Sequence, residues 1–121
     1  MNSTSKHDAK VLPAQVLAER GIELHYLADL DISAEALSRR TGLAFHGITD
    51  EMGRSAELLL QLNDRIYALV ARLDSHVPHR TSVRVSGQRS LTALVELLSA
   101  LDLPEQVVSN VATERLVAHV A

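Results

Sequence analysis

The stretch TDEMGRSAELLLQLNDRIYALVARLDSHV, residues 49–77, decides the predicted fold. Its apolar side chains recur at two interleaved seven-residue spacings, a pattern typical of a helix that packs along one side. Thr49 is an acceptable N-cap residue, and Pro78 follows the stretch as a helix terminator. The pattern therefore predicts one long helix over residues 49–77.

The apolar face of this predicted helix is broad, because leucines and a tyrosine flank the seven-residue seam. A helix of that length spans roughly 40 Å, more than the shorter helices of a small domain can cover. We therefore predict a homodimer with the central helices in its interface. The predicted interface residues are Met52, Ala56, Leu59, Asn63, Ile66, Val70 and Leu73.

Asn63 is the one polar residue in the predicted seam, and two interpretations of it stay open. A buried amide needs a hydrogen-bonding partner, which the same asparagine of a second copy would supply. In the other interpretation the helix is rotated so that Asn63 lies on the rim beside Asp64.

The flanking segments complete an all-α prediction of about five helices in a bundle. Residues 1–9 are predicted to be a flexible leader, and residues 10–121 a single helical domain. Capping residues and apolar spacing predict helices over 13–20, 31–41 and 90–101, with a final helix over about 105–120. Residues 22–30 alternate like a strand but also fit a helix, which we favour, and residues 81–85 fit either a short strand or a loop.

Composition excludes several function classes. The chain has 121 residues, no cysteine and a net charge of −3, and Tyr26, Phe45 and Tyr67 are its only aromatic residues. Without cysteine it has no disulfide, thiolate nucleophile or cysteine-bound zinc. The negative net charge disfavours DNA and anionic lipid as partners, and no apolar run is long enough to span a membrane. These features predict a cytoplasmic protein.

No residue pattern predicts an enzyme, a metal site or a bound cofactor. His76 and His79 are three positions apart, but Pro78 separates them and no third ligand follows nearby. His46 lies four positions before Asp50 and would form an acid–base pair only if both lined a pocket. The acidic residues near Thr49 are explained by helix capping alone.

Residues 75–95 form the most suggestive segment, because they contain no acidic residue in a chain that is acidic overall. Guanidinium groups bind carboxylates and phosphates through paired hydrogen bonds. The segment is either a solvated loop or a surface that receives an anionic partner. The predicted partner-binding residues are His79, Arg80, Arg84 and Arg89.

The segment AEALSRRTGL, residues 34–43, resembles the first helix and turn of a helix-turn-helix unit, which would extend over residues 34–54. The resemblance implies a DNA-binding transcriptional regulator. Asp50 and Glu51 would repel phosphate at the start of the second helix, which weighs against it. We therefore expect a non-enzymatic, homodimeric module that binds another protein, with DNA binding as the alternative.

Overall fold

The protein is mainly an antiparallel β-sheet in the computed structural model, which describes residues 9–51, 53–73 and 80–112. These residues form three helices, α1 (Gln15–Arg20), α2 (Ala34–Thr41) and α3 (Leu91–Leu101). Their seven strands are β1 (Lys10–Val11), β2 (Leu24–Leu30), β3 (His46–Asp50), β4 (Gly53–Leu62), β5 (Arg65–Arg72), β6 (Thr81–Ser86) and β7 (Val108–Val111).

The strands lie in the order β1-β4-β5-β6-β2-β7, and β3 also pairs with β4. All the pairs are antiparallel. β3 covers the first half of the outer edge of β4, and β1 covers part of its second half. At the opposite end of the sheet, β7 is the edge strand of the described residues.

Helices α2 and α3 cover one face of the sheet and bury the main core. Leu37 of α2 and Leu97 of α3 pack with alternate residues of the strands, including Leu60 and Val83. Both helices begin at a serine whose side chain accepts a hydrogen bond from the amide three residues later, Ser33 for α2 and Ser90 for α3. Burial of alternate strand residues is the pattern expected of a sheet that packs helices on one face.

The predicted all-α bundle is wrong, because the described residues of the range 49–77 form strands and turns and no helix. Within this range the structure has the end of β3 and the hairpin of β4 and β5. Asn63 and Asp64 form the turn between these two strands, and Asn63 adopts a left-handed conformation with φ 53°. Asparagine is favoured at such positions.

Burial of both faces of the hairpin explains why its sequence fits a helix. Leu58, Leu60 and Leu62 face α3 and the main core, whereas Leu59 and Ile66 pack against α1 on the other face. A strand that is buried on both sides loses the alternation of apolar and polar residues, and its run of leucines matches a seven-residue pattern equally well.

Two further predictions of helix are also wrong. Residues 24–30 form β2, and residues 105–111 form a 3₁₀ turn (Glu105–Val107) and β7. The helices predicted over 13–20, 31–41 and 90–101 are confirmed in their main parts, and residues 81–86 form a strand. Three predictions fall wholly or partly on residues outside those described: the leader apart from Ala9, the end of the central helix, and the final helix beyond Ala112.

Candidate binding surface on the open sheet face

The second face of the sheet is covered only in part. Val16 and Leu17 of α1 pack on Leu59, Ile66 and Ala68, which are buried in this cluster. Beyond α1, the face carries mostly polar side chains that contact solvent. We call this uncovered part the open sheet face. It comprises Tyr26, Asp29, Val70, Ser82, Arg84 and Asn110, and it includes at its border the exposed Arg80, which directly precedes β6 and whose charge acts on Tyr26.

The pairing of four strands brings these residues together. Asp29 lies between Asn110 of β7 and Ser82 of β6, and Ser82 in turn lies opposite Val70 of β5. Tyr26 lies opposite Arg84. Side chains of directly opposed residues share a face of an antiparallel sheet, so the four strands build one continuous surface.

A β-bulge in β2 places Tyr26 and Asp29 on the same face. The pairing of β2 with β6 shifts between Tyr26 and Ala28, so that Leu27 is an extra residue with no directly opposed partner. Leu27 and Ala28 are both fully buried in the main core. The bulge thus buries two consecutive apolar residues and leaves the polar residues on either side on the open sheet face.

Side-chain hydrogen bonds hold this surface in place. The Ser82 hydroxyl donates to Asp29 Oδ1 at 2.9 Å, and Asn110 Nδ2 donates to the Tyr26 hydroxyl oxygen at 2.9 Å. Partial burial raises the pKa of Tyr26, and the neighbouring Asp29 carboxylate raises it further, whereas Asn110 and Arg80 act in the opposite direction. Tyr26 therefore remains a neutral phenol at physiological pH and can donate or accept a hydrogen bond.

The predicted arginine cluster is divided between two regions. Arg80 precedes β6 directly and lies near enough to Tyr26 to affect its pKa, and Arg84 is exposed on the open sheet face. Their Cα atoms are about 13 Å apart along the strand. Arg89 follows the opposite end of β6, next to the start of α3. His79 lies outside the described residues.

Arg80 and Arg84 are therefore the two predicted residues that the fold places on one surface. Neither guanidinium group forms a hydrogen bond or an ion pair with another described residue. The neighbours of these arginines, Tyr26, Asp29 and Asn110, are not among the residues predicted from the sequence. The alternation within residues 22–30 was the available signal, but the bulge at Leu27 interrupts it.

The residues predicted to form a dimer interface do not lie on a common surface. Ala56 is buried among Ala34 and Ala71 on the helical side of the sheet. Leu59 and Ile66 are buried under α1, whereas Val70 is half-buried next to them. Asn63 is exposed in the β4–β5 turn and Leu73 is exposed after β5, and Met52 lies outside the described residues. The helical seam that motivated this set is therefore absent.

A second polar cluster joins α3 to the β4–β5 hairpin. Glu96 accepts hydrogen bonds from Arg65 Nη1 at 2.9 Å and from Asn63 Nδ2 at 3.2 Å. The buried Tyr67 hydroxyl donates to the Ala93 carbonyl oxygen at 2.8 Å and lies 3.2 Å from Glu96 Oε1. Because these groups satisfy one another, the cluster has a structural role in positioning α3.

The residues of the other candidate sites lie far apart or are partly outside the described residues. α2 is followed by β3, so residues 34–54 do not form the predicted helix-turn-helix unit. His46 and Asp50 lie at opposite ends of β3, and His46 lies opposite Glu57 instead. His76 and His79 lie outside the described residues. Among the residues that are described, no three His, Asp or Glu side chains are grouped closely enough to hold a metal ion.

No helix within the described ranges is long and apolar enough to cross a membrane. Comparison of the chain with protein-family models, with curated proteins and with solved structures gives no significant match.

Proposed function

We propose that this protein is a non-enzymatic interaction module that binds an acidic segment of a partner protein on the open sheet face. The observation that carries the proposal is the placement of Tyr26, Arg80 and Arg84 on one uncovered surface. Tyrosine and arginine are enriched among the residues that dominate binding energy at protein interfaces.

The charges on this surface favour a protein partner over nucleic acid. Asp29 is paired with Ser82, which lies between Arg80 and Arg84 in the sequence. Glu57 lies on the same face of the sheet, opposite Val70. A nucleic-acid backbone would approach these carboxylates unfavourably, whereas an acidic peptide can place single carboxylates at Arg80 and Arg84. The net charge of −3 adds to the repulsion of phosphate.

The test is a selection from a random peptide display library on the immobilised protein. We expect peptides rich in Asp and Glu, and Arg84→Gln should weaken their binding at least about fivefold. Arg39→Gln is the matched control, because it removes the same charge from α2, where the Arg39 side chain is 72% exposed. Equal effects of the two variants, or selected peptides without acidic enrichment, would contradict the proposal.

A second copy of the chain is the other partner that we propose. The outer edge of β7 pairs with no described strand, whereas β3 and β1 lie along the outer edge of β4. The Ala112 amide donates inward to the Leu27 carbonyl oxygen at 2.8 Å, so the amide of the preceding Val111 is directed away from β2. Two copies of β7 related by a two-fold axis would pair through backbone groups that are directed outward, as the Val111 amide is.

A cytoplasmic location remains part of this proposal. It is supported by the absence of cysteine from the sequence, since oxidising compartments favour proteins with disulfides.

A further inference from the structure

A cavity lies between the segment of residues 12–17 and strands β4 and β5, and we call it the α1 cavity. Its volume is about 330 Å³, near the lower end of the range of small-molecule sites, which is roughly 300–1,000 Å³. The Leu12 amide donates to the Leu59 carbonyl oxygen at 2.9 Å and so anchors one end of the covering segment to the sheet.

The walls of the α1 cavity are mainly apolar. Leu12 and Leu17 line it from the covering segment, and Leu59 and Ala68 line it from the sheet. The two sheet residues are almost fully buried by the packing of α1. Side chains of this kind favour the hydrocarbon part of a ligand, because binding removes apolar surface from water.

Three polar residues line the cavity. His46 of β3 and Glu57 of β4 are directly opposed, and Gln15 of α1 belongs to the covering segment. Among the described residues, none of these three side chains has a hydrogen-bonding or ion-pair partner. An apolar cavity with a few convergent polar groups is the usual form of a small-molecule site.

Glu57 determines the charge of the ligand that suits this arrangement. Among the described residues that line the cavity, it alone has an acidic or strongly basic side chain, and a carboxylate pairs with an ammonium group through charge-assisted hydrogen bonds. The side-chain amide oxygen of Gln15 can also accept a hydrogen bond from an ammonium group. A carboxylate ligand would instead meet the charge of Glu57 in a partly desolvated place.

We infer that the α1 cavity binds a small amphiphilic amine, with its hydrocarbon part among Leu12, Leu17 and Leu59 and its ammonium group on Glu57. This site lies beyond the function proposed above, which concerns peptides on the open sheet face. The two can fail separately, because the amine test uses no peptide.

The experiment is an NMR titration of the ¹⁵N-labelled protein with hexylammonium, hexanol and hexanoate, three ligands with the same hydrocarbon chain. We expect amide shifts in residues 12–17 and around Glu57, with hexylammonium binding at least about fivefold more tightly than hexanol. Hexanoate should bind most weakly. Equal affinity for the three, tighter binding of hexanoate, or shifts confined to other parts of the chain would overturn the inference, as would the absence of shifts at millimolar hexylammonium.

Two variants separate a specific site from general attraction to an acidic protein. Glu57→Gln keeps the shape of the side chain and should reduce hexylammonium affinity to that of hexanol, with hexanol binding unchanged. Glu35→Gln is the control, because Glu35 is exposed on α2 with a side-chain exposure of 82%. If both variants weaken hexylammonium equally, the ammonium group does not bind Glu57.

Discussion

Replacement of Tyr67 by phenylalanine should change how the stability of the protein depends on pH. Tyr67 is fully buried, and its hydroxyl donates to the Ala93 carbonyl oxygen at 2.8 Å. Burial raises the pKa of Tyr67 strongly, and the negative charge of Glu96 raises it further, whereas Arg65 acts in the opposite direction. The folded state therefore favours the neutral, protonated form of Tyr67.

The sign of the effect follows from this raised pKa. Below the ordinary tyrosine pKa of 10.0, Tyr67 is neutral in both the folded and the unfolded chain. Above it, only the unfolded chain releases the proton, so the free energy of unfolding falls as the pH rises. The fall approaches about 1.4 kcal/mol per pH unit for one group and continues up to the folded-state pKa.

Tyr67→Phe removes this dependence together with one hydrogen bond. At pH 7 the variant should be less stable by about 1 kcal/mol, the usual contribution of such a bond. The two free energies of unfolding should then become equal about 0.7 pH units above the ordinary tyrosine pKa, and the variant should be the more stable protein beyond that point.

Urea denaturation followed by circular dichroism between pH 7 and the crossing point measures both free energies. Phenolate absorbance provides an independent measure, because the chain has two tyrosines and no tryptophan. In native wild-type protein, Tyr67 should remain unionised after Tyr26 has titrated. If the two stability curves stay parallel above the ordinary tyrosine pKa, Tyr67 is not held in the neutral form by its surroundings and the reasoning is refuted.

Two further predictions concern the β4–β5 turn and the second copy of the chain. Asn63→Val should lower the free energy of unfolding by about 1 kcal/mol or more, because a β-branched residue tolerates the left-handed conformation poorly. Asn63→Gly is the control, and an unchanged denaturation midpoint for the valine variant would contradict the assigned turn. Size-exclusion chromatography with light scattering should show twice the chain mass of 13.2 kDa at high concentration. Val111→Pro should shift the protein to the monomer and leave its β-sheet circular dichroism spectrum unchanged. A monomer at every concentration would contradict the proposed pairing of β7.

Local signals in the sequence determined the helices that the structure confirms. Ser33 and Ser90 cap α2 and α3, and left-handed Gly21 and Gly42 end α1 and α2. These features act through neighbouring backbone groups, so they can be recognised without knowledge of the rest of the fold. The absence of acidic residues from 75–95 likewise identified Arg80 and Arg84 as candidate partner-binding residues.

Only the tertiary structure decided between helix and strand for residues 53–72. The segment packs against α2 and α3 on one face and partly against α1 on the other. Double-sided burial selects apolar residues at consecutive positions and so removes the two-residue period that identifies a strand. The choice between the two structures then rests on contacts with distant parts of the chain.

The candidate sites depended on tertiary structure for the same reason. Tyr26 and Arg84 are far apart in the sequence and become neighbours only because β2 pairs with β6, with a bulge at Leu27 that sets the face of each residue. Glu57 and His46 meet through the pairing of β3 with β4 beneath α1. The residue types were visible in the sequence, but strand register, which depends on long-range pairing, determined which of them share a surface.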